Sequence, residues 1–189
     1  IVCYGNRQAG LNGLLTAMAL GHQVGRVHTD TPEFAAWWQS LSGQAAWPPT
    51  PESWVEADLL LCVHGRKILP RQVLDLYLLG GVNLHPFLKE GAGGHPMPEV
   101  VRRTRACETF KMASVWAHRM TSIVDTGEML SVAGCPMPVD HGCDAQPEHI
   151  YNALYPFYVH AVALALAIVQ KEGAEILKKQ KQHGNGGSP

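Results

Sequence analysis

One stretch limits the architecture more than any other: Asp58-Leu59-Leu60-Leu61-Cys62-Val63-His64-Gly65, an unbroken apolar run closed by glycine. A strand with one wet face alternates polar and apolar residues. An unbroken run reads instead as a strand covered on both faces, which requires a parallel sheet between helices. The segments before it agree. Ile1 to Asn6 reads as a buried strand, and Gly10 to Leu20 as a helix with Leu11, Leu14, Leu15 and Met18 on one stripe. Gly21 is its C-cap, and Val24 to Thr29 is a second strand. A β-α-β unit of this kind pairs in parallel through a right-handed crossover. Its turn, Gly5-Asn6-Arg7-Gln8-Ala9-Gly10, does not meet the dinucleotide pattern G-x-G-x-x-G. It is either a plain tight turn or a set of helix-terminal amides for a phosphate.

The chain continues in the same style. Thr31 and Pro32 are an N-cap and N1 pair opening a helix that carries Trp37 and Trp38. Trp47 to Glu52 is an ordered turn, and Pro70 to Leu78 is a helix ended by Gly80-Gly81. Pro98 to Cys107 is expected to be helical. Lys111 to Met120 alternates, with Met112, Ser114, Trp116 and His118 on one face and Ala113, Val115, Ala117 and Arg119 on the other. Ser122 to Gly127 is a turn with Asp125 at its apex, Glu128 to Ala133 a strand, and Pro147 to Lys171 a long helix. Residues 1–173 form one α/β domain, a Rossmann-like, mostly parallel sheet flanked by helices, with residues 174–189 as a flexible tail.

Chemistry gathers at Gly81-Val82-Asn83-Leu84-His85-Pro86, followed by the glycine-rich Glu90-Gly91-Ala92-Gly93-Gly94-His95-Pro96. Alternation along a strand points Asn83 and His85 the same way. The carboxyl end of a strand is where ligands bind in open α/β sheets. An amide N–H and an imidazole there suit a carbonyl oxygen that becomes an oxyanion. The plainer alternative is a polar strand end satisfying loop backbone.

The balance of residues excludes several classes. Net charge is −1 and charged residues are 16%, so nothing marks a nucleic-acid surface; Arg102, Arg103 and Arg105 read as a solvated helix face. Five cysteines without C-x-x-C argue against a disulfide framework and for a reducing, cytoplasmic setting. Asp140, His141, Cys143 and His149 lack the tight paired spacing of a zinc site, so no metal is expected. Ile150 to Val169 is strongly apolar but contains Asn152, Pro156 and His160, which favours a buried or interface helix over a membrane span. Its Tyr151, Leu154, Tyr155 and Tyr158 either form a homodimer contact or cover the sheet.

With Asn83-x-His85 and Asp125-Thr126-Gly127 in view, the chain resembles the formyltransferases that use 10-formyltetrahydrofolate. Three pieces match in order and spacing: Ala57-Asp58 through Leu69-Pro70, Val82 to His85, and Val115 to Met120 with Val124 to Leu130. The similarity covers roughly residues 57–137, so the formyltransferase fold is expected. By resemblance, Asn83 would donate to the formyl oxygen. His85 would stabilise the oxyanion and pass a proton to the folate nitrogen. Asp125 would take the proton of the incoming amine and set the charge of His85. The resemblance also implies that the pteridine lies on Leu61, Cys62, Val63, His64 and Gly65 and on the loop of Thr121, Ser122, Ile123 and Val124, with Ile68 and Leu69 as apolar walls. The plainer alternative for Asp125 is a carboxylate capping its own turn. The sequence departs from the family where Pro86-Phe87-Leu88-Lys89 replaces Ser-Leu-Leu-Pro, and in lacking the phosphate-loop form of the purine-pathway members.

The function expected is transfer of a formyl group from 10-formyltetrahydrofolate to a primary amine of a small metabolite, such as a nucleotide-linked amino sugar or glycinamide ribonucleotide. Alternatives are a hydrolase of the same donor, in which water replaces the amine, and a non-catalytic folate-binding module. No nucleic-acid or membrane partner is expected.

Overall fold

The computed structural model describes residues 1–87, 113–135 and 147–184. The glycine-rich loop 90–96, the helix expected over Pro98 to Cys107 with its arginines, and Asp140, His141 and Cys143 lie outside them, as does the His149 side chain. The elements are β1 (Val2–Gly5), α1 (Arg7–Ala19), β2 (Arg26–His28), α2 (Pro32–Ser42), a 3-10 turn (Pro51–Ser53), β3 (Leu60–Val63), α3 (Arg71–Leu74), β4 (Gly81–Phe87), β5 (Ala113–Arg119), β6 (Met129–Cys135) and α4 (Pro147–Gly184). One six-stranded sheet runs in the order β2-β1-β3-β4-β5-β6. Pairing is parallel from β2 to β4 and antiparallel from β4 to β6.

The apolar run sits where its composition requires. Leu59, Leu61 and Val63 face one layer with Val82, Leu84, Val115, Tyr158 and Val162. Leu60 and Cys62 face the other, with Tyr4, Trp54, Leu69 and Tyr77. Both faces of β3 are thus core, as an unbroken run demands.

Two helices differ from their sequence reading. On α1 the buried side is Ala9, Gly10, Gly13, Leu14 and Ala17, while Leu15 and Met18 are each 40% exposed. The cause is close approach. A Cβ on Gly10 would lie 2.8 Å from the Gly5 carbonyl carbon, and one on Gly13 would lie 2.6 Å from Val63 Cγ2. Leu14 and Leu11 of the expected stripe do reach the core, but the helix lies so near the strands that small residues fill the rest of its inner face in place of Leu15 and Met18. It ends as expected: Gly21 takes φ +84°, and the amides of Gly21 and His22 bond Met18 O and Ala17 O, a Schellman closure. The helix read over Pro70 to Leu78 is only Arg71–Leu74. Beyond it Leu76 and Tyr77 bond three residues back, and Tyr77 bridges Ala57, which pulls the chain out of the helix before Gly80 turns it into β4.

Helix α4 continues past Lys171 to Gly184, with Pro156 inside it. Its Tyr151–Lys179 span is apolar enough, by length and composition, to cross a membrane. Leu154, Tyr158, Ala161, Val162, Ala165, Leu166 and Val169 lie against the core, which accounts for the run. Of the two roles open to Tyr151, Leu154, Tyr155 and Tyr158, covering is the one seen: Leu154 and Tyr158 are fully inside, and Tyr151 and Tyr155 pack against them.

Candidate active site

Strand β4 outruns β3. Its partners on β3 stop at Leu84, while on β5 they continue to Phe87. Asn83, still paired with Cys62 of β3, and His85, one residue past the last β3 pair, stand on one face of the strand, and among the described residues β5 alone flanks its end. Register places Asn83 directly opposite His118. The Asn83 amide nitrogen lies 3.3 Å from His118 Nε2. The β5–β6 register shifts between Ala117 and His118, a bulge of the kind that re-aims a side chain.

Asp125 arrives from the turn after β5. That turn is bound within itself: Thr121 Oγ1 donates to Ile123 O at 2.6 Å and Thr126 Oγ1 to the same oxygen at 3.0 Å. The Arg119 amide donates to Glu128 O at 2.8 Å and closes its base. Asp125 holds φ +56°, a left-handed conformation that Asp tolerates in turns. Its Oδ1 lies 3.5 Å from His85 Nε2 and 3.3 Å from His118 Nε2. The two imidazoles meet edge to face at 5.2 Å. The three side chains are 19%, 7% and 20% exposed for His85, His118 and Asp125, so the cluster is nearly dry yet open on one side.

Proton positions follow from the neighbours. His85 Nδ1 faces Pro86 O at 3.1 Å and His118 Nδ1 faces Arg119 O at 2.9 Å. A carbonyl only accepts, so both Nδ1 atoms carry hydrogen. Both Nε2 atoms then meet the carboxylate. His118 Nε2 accepts from Asn83, which fixes the Asn83 amide with its nitrogen inward. For His85 and Asp125 to attract each other they must hold a proton between them. Burial pulls the His85 pKa below its usual value; Asp125 pushes it back up, and His118 lowers it. The net direction is downward, with the Asp125 carboxylate opposing it.

The sequence anticipates three of these four residues. His118 lies in the Val115 to Met120 piece that carries the resemblance and on one face of its strand, but the sequence gives it no role in the site. Its signal is the pairing partner of Asn83, which no local pattern reports.

The residues read as a folate platform separate. Leu61, Cys62 and Val63 are each at most 2% exposed, so only their backbone can meet a ligand. Leu69 is core, whereas Ile68 is 75% exposed. Thr121, Ser122, Ile123 and Val124 lie exposed on the Asp125 turn. His64 and Gly65 follow β3, with His64 at φ +59° and its amide bonded to Leu84 O. Burial first, then the charges of Arg7, Arg66 and His85, depress the His64 pKa to about 4. Arg7 also lies over the Tyr151 ring at 5.7 Å, and His64 meets that ring edge-on at 5.5 Å. Tyr4 Oη holds this edge in place: it accepts from the amides of Arg66 and Lys67 and donates to Asp30 at 2.5 Å. Next to it a cavity of about 320 Å³ opens among Arg7, Gln8, Phe34 and Trp37.

No protein-family model matches the sequence, and no curated protein matches it. Solved structures do match. Phosphoribosylglycinamide formyltransferase from Anaplasma phagocytophilum aligns with TM-score 0.69 and 16% identity, over 90% of this chain and 86% of that one. The enzyme of the same name from Streptococcus pneumoniae aligns with TM-score 0.61 and 20% identity, over 85% and 96%. A formyltetrahydrofolate deformylase from Pseudomonas syringae aligns with TM-score 0.68 and 15% identity, over 90% of this chain but 60% of that protein. The chain has the formyltransferase fold. Within that fold, the four polar side chains stand at the seam where parallel pairing turns antiparallel.

Proposed function

We propose that the protein transfers the formyl group of 10-formyltetrahydrofolate to a primary amine of a small metabolite. The observation that carries this is the convergence of Asn83, His85, His118 and Asp125, with one Asp125 oxygen 3.5 Å from His85 Nε2 and 3.3 Å from His118 Nε2, and the Asn83 amide 3.3 Å from His118 Nε2. The amine attacks the formyl carbon. Asn83, held by His118, gives its second N–H to the oxygen as it becomes an oxyanion. Asp125 accepts the amine proton. The proton held by His85 goes to the departing folate nitrogen as its bond to the formyl carbon breaks. One bond forms, one breaks, and one proton crosses the cluster. The acceptor amine is the nucleophile, so none is required from the protein.

Arg7 and Arg66 beside a depressed His64 support an acceptor that carries an anionic group, as nucleotide-linked amino sugars and glycinamide ribonucleotide do. The folate would use the backbone of Leu61 to Gly65 and the Thr121 to Val124 turn. Two buried free thiols, Cys3 and Cys62, fit a reducing, cytoplasmic setting. A hydrolase is the second reading, favoured by the deformylase among the similar structures.

The test is tetrahydrofolate release from 10-formyltetrahydrofolate, followed by absorbance with and without a panel of anionic amines. Acceptor-dependent turnover that falls roughly 100- to 1,000-fold in Asn83→Ala is expected. Turnover without an acceptor, lost in the same variant, would replace transfer by hydrolysis. Folate binding with no turnover under any condition would leave a binding module.

A further inference from the structure

We propose that His85, His118 and Asp125 also form a binding site for a divalent transition-metal ion, best matched to zinc, and that a bound ion shuts off formyl transfer. The three ligand atoms, the two Nε2 and Asp125 Oδ1, lie within 4.8 Å of one another. The two His–Asp edges are 3.5 and 3.3 Å. Zinc bonded to nitrogen and oxygen at about 2.0–2.2 Å sets ligand atoms roughly 3.3–3.5 Å apart when tetrahedral. Both His–Asp edges already have that length before any ion arrives.

The surroundings fit as well. Ligating imidazoles commonly donate their other N–H to a carbonyl, which fixes the tautomer and aims the lone pair. Here Pro86 O and Arg119 O do this for His85 and His118. Two imidazoles and one carboxylate select a borderline metal over magnesium or calcium, which want more oxygens. Three protein ligands leave one position open. An ion held by these ligands occupies the His85 lone pair and the Asp125 oxygen, so neither can handle a proton. Binding of the ion stands on geometry alone; the loss of transfer rests on the function proposed above.

The experiment titrates the metal-free full-length protein with CoCl2, reads the visible absorption of four-coordinate cobalt, and then displaces it with ZnCl2. One equivalent is expected. Asp125→Asn and His118→Gln should each weaken binding by roughly 100-fold or more, since even lesser changes around a metal cost 10- to 100-fold. Circular dichroism checks that each variant is folded, and Asp125→Asn, on the turn, decides if His118→Gln is not. Asn83→Ala loses no ligand and removes the N–H that competes for the His118 Nε2 lone pair, so it should bind metal at least as tightly as the parent. Formyl-donor turnover is then run at buffered free zinc. Binding that ignores the His118 and Asp125 changes, or no binding at all, overturns the proposal. Turnover that persists with the site loaded overturns its inhibitory half. A protein that binds zinc in this way but never consumes the formyl donor keeps the site and loses the transferase.

Discussion

Two histidine sites on the same sheet make an instructive pair. His28 ends β2, is 0% exposed, and stacks on Trp54 at 4.0 Å. Its Nδ1 lies 3.4 Å from Pro48 O and 3.5 Å from Ser53 Oγ, and its buried Nε2 has no partner among the described residues. Burial drives its pKa down to about 4. His85 is pulled down by burial too, but Asp125 counters it. Both follow an apolar residue in a strand, and a local sequence window treats them alike. A carboxylate at 3.5 Å separates a histidine that only fills space from one that can carry a proton.

The strongest way to break this contrast is Asp125→Asn. It turns the surroundings of His85 toward those of His28. Turnover of the formyl donor should fall roughly 100- to 10,000-fold. The His85 pKa, followed by NMR titration, should fall further below that of the parent. A pKa that stayed put would show that the carboxylate does not set it.

Next in size is an effect on stability. His28 and His64 each have a native pKa of about 4, below the ordinary value of 6.5. Between those values the unfolded chain binds a proton that the native chain refuses. Their contribution is therefore complete above pH 6.5 and is lost as pH falls toward 4. For fully buried His28 it amounts to at most about 3 kcal/mol. Urea unfolding at pH 7 and pH 4.5 should show the loss, and His28→Gln should shrink it. An unchanged pH slope in that variant would move the effect elsewhere.

Ser53→Asp runs the comparison the other way, setting a carboxylate beside His28 Nδ1. The His28 pKa should climb from about 4 toward the ordinary value, as NMR would report. A His28 pKa that stays near 4 would mean that burial outweighs the counter-charge. The smallest change expected is His118→Gln. Glutamine can still accept from Asn83 but no longer depresses His85. Turnover should drop only about 5- to 10-fold, the value of one adjusted hydrogen bond, while the His85 pKa rises.

The parallel half of the sheet was legible because buried strands write themselves as apolar runs, β3 above all. The inner face of α1 was legible only at Leu11 and Leu14. Hydrophobic periodicity reports which residues are large, whereas contact with Gly5 and Val63 selects the small ones. Helix α3 was over-read because the Ala57–Tyr77 bridge that ends it joins residues twenty apart. At the site, Asn83, His85 and Asp125 were legible from local spacing and resemblance together. His118 was not, because its role comes from a strand partner 35 positions away.

That pairing bears on how such a site is kept or lost over time. Asn83 and His118 meet because they face each other across a ladder in which each step of one residue reverses the side. Deleting or inserting a single residue between Ala113 and His118 would turn the imidazole to the α4 side and bring an apolar neighbour to Asn83, with every site residue still present in the chain. For this protein, counting the parity of β5 is as much a test of a competent relative as finding its histidine.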